Sequence, residues 1–104
     1  MNLFEYELPK TDSEIFSTLL TSDNVTIKRI ISNTLSTSQT FVQKESEWVV
    51  VLQGCAKIEI DGVIHKLKKG DFLFIPSMKE HTLLKTKKVV VWLAIYIKEE
   101  NGKD

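Results

Sequence analysis

Short apolar runs separated by turn-forming residues fill the chain from Val25 to Ile97. Val25, Thr26, Ile27, Ile30 and Ile31 are mostly β-branched, a composition that suits strands because a branched Cβ packs well on a pleated surface. Ser32 to Ser38 is polar and reads as a loop. Thr40 to Gln43 is a short strand candidate, and Glu47 to Leu52 is a longer one that ends at Gly54. Lys57-Ile58-Glu59-Ile60 and Val63-Ile64-His65-Lys66-Leu67 flank Asp61-Gly62. Asp-Gly between two such runs marks a hairpin, since a type I′ turn needs positive φ at both central residues. Phe72 to Ile75 is a strand that Pro76 stops, His81 to Leu84 is the next, and Val89 to Ile97 is the last. About seven or eight strands with short connections predict an all-β sandwich or barrel.

The first residues read differently. Phe4, Tyr6 and Leu8 alternate with Glu5 and Glu7, as in an extended arm that packs one face. Thr11 and Glu14 have the capping-box spacing, and Ile15, Phe16, Leu19 and Leu20 fall on one helical stripe. The pattern predicts one short amphipathic helix from Ser13 to Leu20, packed outside a sheet and ended by the turn formers Thr21 to Asn24. The expected organisation is a single domain: arm and helix over 1–24, barrel over 25–97, and a solvated, frayed tail over 98–104. Trp48 to Leu52, Phe72 to Ile75 and Val89 to Ile97 do not alternate, so both faces of those strands should be covered. The arm and helix can cover only part of one sheet. A second copy of the chain is the economical cover for the rest, with Trp48 or Trp92 as an anchor, and a homodimer is expected.

Composition narrows the classes. The chain has 104 residues, 42% of them apolar, which suits one compact domain with a real core. Formal net charge is zero, and the lysines at 66, 68 and 69 and at 85, 87 and 88 sit beside turns. That balance argues against nucleic-acid or anionic membrane partners. A single cysteine, Cys55, permits no intramolecular disulfide, and it reads as a small buried thiol. The start, MNLFEYELPK, lacks the positive and then apolar segments of a signal peptide. The run Val89 to Ile97 is about half the length of a membrane-spanning helix. A cytoplasmic protein is the expectation. Glycine-rich phosphate loops, a nucleophile elbow and paired CxxC motifs are absent from the sequence. His65, in the hairpin, reads as a surface residue.

The candidate chemistry lies between Glu47 and His81. Glu47 is followed at the seventh position by Gly54; Gly70, Pro76 and His81 follow with five and then four residues between them. In these residues the chain resembles the cupin family, over roughly residues 35 to 97. The resemblance implies a single cupin-type jelly-roll β-barrel with a ligand or metal site in its mouth. Met78 stands where the family's second-motif glycine would be, and Lys85 where its asparagine would be. Metal-binding cupins place two histidines ahead of the glutamate; the corresponding positions here are Phe41 and Gln43, or Thr40 and Val42. Only Glu47 and His81 carry over.

Gln43 lies four residues before Glu47, on the same face of an uninterrupted strand. Its amide oxygen is a weaker ligand than imidazole. Two expectations follow. Gln43, Glu47 and His81 form a facial site for a divalent ion (Mn, Fe, Zn or Ni), or Glu47 and His81 form a metal-free polar pair with coupled titration. Phe41, Val49, Phe72 and Phe74 would supply apolar walls. The functional expectations are a non-enzymatic cupin that binds a small polar ligand through Phe41, Gln43, Glu47, Phe74 and His81, and a cupin enzyme of the dioxygenase, isomerase or decarboxylase type. In the enzyme, the metal is a Lewis acid, or Glu47 is a general base with His81 as general acid, similar to sugar-epimerising members of the superfamily.

Overall fold

The computed structural model describes residues 1–99. Among these, nine strands form two antiparallel sheets: β1 Ser13–Thr21, β2 Val25–Asn33, β3 Gln39–Phe41, β4 Ser46–Gln53, β5 Cys55–Ile60, β6 Val63–Lys68, β7 Phe72–Ile75, β8 His81–Leu83 and β9 Val89–Ile97. One sheet has the order β1-β2-β9-β4-β7, and the other β3-β8-β5-β6. Ile30, Val49, Val51, Ile58, Leu83 and Trp92 belong to the core between the two inner faces.

The predicted helix is a strand. Ser13 to Thr21 pairs with β2 along its length, with Glu14 opposite Ser32 and Phe16 opposite Ile30. Two serines, two threonines, Ile15 and Phe16 are weak helix formers, and pairing with β2 outweighs the capping signal. The helical-looking stripe has a local cause: a bulge between Thr18 and Leu20 inserts Leu19 and brings two leucines together in sequence. The barrel therefore begins at Ser13, and Asp12, at φ +70°, turns the chain into it. Asp12 accepts a hydrogen bond from the Ser36 amide at 2.7 Å, which lowers its pKa.

Other expectations need correction. The segment before β1 has no strand, and Phe4 and Leu8 are exposed. It is held by Arg29, which donates to the carbonyls of Leu3 (3.2 Å) and Glu5 (3.0 Å), and by Asn33, which donates to that of Pro9 at 2.7 Å. Cys55 is exposed, because β5 turns Ala56 and Ile58 inward and Cys55 outward. β2 runs to Asn33, so only 34–38 is loop. Lys98 and Glu99 are tied down: the Lys98 amide donates to the Asn24 carbonyl and the Ser46 hydroxyl to the Glu99 carboxylate. The rest of the predicted tail lies outside the described residues.

The Asp61-Gly62 hairpin is as expected, with φ +53° and +78°. Gly54 is required for a further reason. At φ +84°, a Cβ there would lie 2.5 Å from the Val89 carbonyl oxygen.

Candidate functional site

Pairing register determines which side chains enter the space between the sheets. On β4, Glu47 and Val49 face inward while Trp48 and Val50 face outward. Glu47 is opposite Tyr96 of β9 on one side and Ile75 of β7 on the other. On the second sheet, Phe41 of β3 is opposite His81 of β8, and their rings stack with centroids 5.8 Å apart. The turn before β8 sets the histidine. The Lys79 amide donates to the Pro76 carbonyl, the Met78 amide to the Gln43 carbonyl, and Met78 takes φ +62°. The structure thus brings together Phe41, Gln43, Glu47 and His81 around one cavity.

Phe74 is not part of the group. It pairs with Trp48, one position out of phase with Glu47, and lies on the outer face, 53% exposed. Phe72 shares that face. Of the expected apolar walls, Phe41 and Val49 line the cavity. His65 is half-buried opposite Ile58 and does not line it.

The cavity has about 60 Å³ open to the centres of water molecules. Its polar lining is Glu14, Gln43, Glu47, His81 and Tyr96; aromatic rings of Phe16, Phe41 and Trp92 share the wall. Phe16 is 47% exposed and forms part of the rim. Glu14, Phe16, Trp92 and Tyr96 were not expected here. For Glu14 the signal was its alternation with Phe16 and Thr18, read instead as a cap.

Glu47 is 6% exposed. Gln43 Nε2 donates to its Oε1 at 3.0 Å, and Tyr96 is a second hydrogen-bond partner. His81 Nε2 lies 3.8 Å from the same Oε1, too far for a hydrogen bond. Burial pushes the Glu47 carboxyl above its ordinary 4.5; Gln43, His81, Tyr96 and Lys28 pull the other way. His81 Nδ1 lies 3.0 Å from the Lys79 carbonyl oxygen. A carbonyl only accepts, so Nδ1 carries a proton, and Nε2 is the ring nitrogen that faces Glu47. Tyr96 is pushed upward by burial and then by the Glu47 charge, so it remains a neutral donor. Glu14 has a separate support: Trp92 Nε1 donates to Ser32 Oγ at 3.1 Å, and Ser32 Oγ donates to Glu14 Oε2 at 2.6 Å. Burial raises the Glu14 pKa, and the Ser32 hydrogen bond opposes the rise.

A sequence profile of the cupin domain matches residues 36–96. The chain belongs to the cupin family. A 54-residue stretch is 39% identical to an uncharacterized protein of Aquifex aeolicus; it spans 52% of this chain and 45% of that relative, less than half the relative's length. The crystal structure of a candidate mannose-6-phosphate isomerase from Ralstonia eutropha is 32% identical, with 95% of this chain and 97% of that one covered and a TM-score of 0.81. A conserved protein of unknown function from Streptococcus pyogenes (20% identity, 96% and 87% covered, TM-score 0.79) shares the fold. So does a cupin domain from Schizosaccharomyces pombe (12%, 94% and 72%, TM-score 0.80).

Metal-binding cupins gather several histidines on one ion, and the side chains of this cupin do not fit that group. Among the described residues no three His, Cys, Asp or Glu side chains are placed to hold one ion. Phe41 stacks on His81 at a position where the metal-binding pattern has a histidine. Gln43 turns its amide NH₂, which donates, toward Glu47. Glu47 and His81 remain as two strong donors, fewer than the three or more protein ligands of typical catalytic metal sites. Among the described residues no helix is long and apolar enough to cross a membrane.

Proposed function

We propose that this cupin binds a small polar organic molecule in the cavity between its sheets, without a resident metal. The observation that carries this is the convergence of Gln43, Glu47, His81 and Tyr96 on one small, largely apolar cavity. A few placed polar groups on apolar walls are what a ligand site needs: the walls supply burial and the polar groups fix orientation. Glu47 offers acceptors, His81 Nε2 lies beside it, and Tyr96 offers a hydroxyl. A donor-bearing ligand fits this set better than an anion. The volume, about four to six water-sized groups, limits the ligand to a few heavy atoms.

An isomerase reading is supported by the name of the Ralstonia relative and by the buried carboxylate beside an imidazole. Glu47 would take a proton from carbon and His81 would return one. A hexose phosphate is not the substrate this supports. The cavity is too small for it, and its lining has two carboxylates and no arginine or lysine.

A homodimer is part of the proposal. Phe72 and Phe74 are 63% and 53% exposed beside half-buried Trp48 on the outer face of the five-stranded sheet, and a second copy would cover them. A reducing, cytoplasmic setting is supported by the single, exposed Cys55 thiol.

The test is a fragment screen by protein-observed NMR, run on the wild type, His81→Ala and Glu47→Gln, with metal content measured on protein purified without chelator. Fragments should shift amides around Phe41, Glu47 and His81, both variants should lose them, and metal should be substoichiometric. Hits that map elsewhere, or survive both substitutions, would sink the ligand-site reading; one metal per chain, lost in both variants, would sink the metal-free reading.

A further inference from the structure

Glu14 lies outside the stretch that resembles the cupin motifs, yet it lines the same cavity as Glu47. The two carboxylates have different supports. Glu47 has Gln43 and Tyr96 as hydrogen-bond partners, and His81 and Lys28 act on it as basic neighbours. Glu14 has one neutral donor, Ser32 Oγ, and among the described residues it makes no ion pair. A half-buried carboxylate with one neutral partner is costly, and a cation beside it removes much of the cost.

The rest of the wall suits a cation as well. Phe16, Phe41, Trp92 and Tyr96 all line the cavity. An aromatic face attracts a positive charge through its quadrupole, most strongly where water is excluded. The protein already makes this kind of contact at one of these rings: Lys28 Nζ lies 5.4 Å from the centroid of Tyr96. The relay from Trp92 through Ser32 holds Glu14 Oε2 in place at the cavity wall.

We infer that the ligand is a small organic ammonium ion, its charge set between Glu14 and Glu47 and its carbon skeleton against Phe16, Phe41 and Trp92. This rests on the ligand-cavity reading above and narrows it to one class. Glu14 is then the residue that selects charge. The size limit admits a short alkylammonium and excludes a nucleoside or a polyamine lying wholly inside.

The experiment compares three probes of one carbon skeleton and different head groups, propylammonium, 1-propanol and propionate, by NMR titration of the full chain. Propylammonium should bind about tenfold more tightly than 1-propanol, as one well-desolvated ionic contact provides, and shift amides of β1, β4 and β9. Glu14→Gln keeps the acceptor for Ser32 and should erase most of that preference, bringing propylammonium towards the affinity of 1-propanol. Phe16→Leu, at the half-exposed rim where folding is not at stake, should weaken propylammonium more than 1-propanol. Equal binding of propylammonium and 1-propanol in the cavity, or tighter binding of propionate, would overturn the ammonium assignment and leave the ligand cavity standing. A preference for propylammonium that Glu14→Gln leaves intact would also overturn it. Failure of all three probes to perturb the cavity, with hits in the fragment screen also absent, would overturn both.

Discussion

Met78 is a methionine in a conformation that favours glycine, and replacing it should stabilise the fold. Its φ is +62°, at the third position of the turn in which the Lys79 amide reaches the Pro76 carbonyl. A left-handed conformation costs a residue with a Cβ roughly 1–2 kcal/mol. Met78→Gly removes that cost and gives back about 0.5–1 kcal/mol, because glycine loses more backbone freedom on folding. The side chain is 61% exposed, so little burial is lost. The balance favours glycine by about 0.5–1 kcal/mol, or roughly 2–6 °C in Tm for a domain of this size. Urea unfolding of wild type, Met78→Gly and Met78→Ala separates the terms. Alanine retains the Cβ and should gain nothing, and the two variants should differ by that balance, about 0.5–1 kcal/mol. If glycine is no more stable than alanine, the turn is not strained and the reasoning fails. The turn also carries the site, since Met78 N–H holds the Gln43 carbonyl and Lys79 C=O holds His81 Nδ1. A gain in stability with unchanged ligand binding would show that the methionine conforms to the turn without shaping the cavity.

Glu47→Gln should be more stable than wild type at neutral pH. Burial raises the folded pKa of Glu47, so its ionisation weakens folding as pH rises from about the ordinary 4.5 through the folded value; the advantage of glutamine should be absent below that window and full above it, read as Tm against pH, and an advantage independent of pH would contradict the assignment. Gly54→Ala should cost about 2–4 kcal/mol, from backbone strain plus the clash with the Val89 carbonyl, whereas Gly62→Ala, with nothing within 4 Å, should show the strain alone at about 1 kcal/mol. Equal losses in urea unfolding would remove the steric argument. Phe74→Lys, on the outer face, should give a folded monomer by light scattering from a wild-type dimer; a wild-type monomer would end the dimer proposal.

The strands from β4 to β9 were legible because their signals are local. Asp61-Gly62 admits few alternatives to a tight hairpin, and Pro76 and Gly70 punctuate β7 on either side. β1 was not legible. Its partner is β2, and the strand exists because that pairing puts Glu14 against Ser32 and Phe16 against Ile30. Its own residues carry a capping pattern and, through the bulge at Leu19, a helical spacing of apolar positions. Only the second strand decides between the two.

The same dependence divides the site. Gln43, Glu47 and His81 could be placed together because a four-residue spacing keeps the first two close and the motif turn returns the third, although Gln43 lies in the loop between β3 and β4 and not on the strand of Glu47. Phe74 was misplaced by one position, and a one-residue change of phase moves a strand side chain to the other face. Glu14 was out of reach, since it enters the cavity only if β1 is a strand. Its absence from the motif-bearing stretch is the physical point. The motif residues fix a barrel, a turn and a carboxylate beside an imidazole, an arrangement compatible with many ligands. Selection then falls to side chains delivered by the edge strand, where Glu14 and Phe16 line the cavity. Phe41 closes the place of a metal ligand, and Glu14 adds a second carboxylate. On the reading proposed above, the two together shift the cavity from an inorganic cation with several strong donors towards an organic one against aromatic walls.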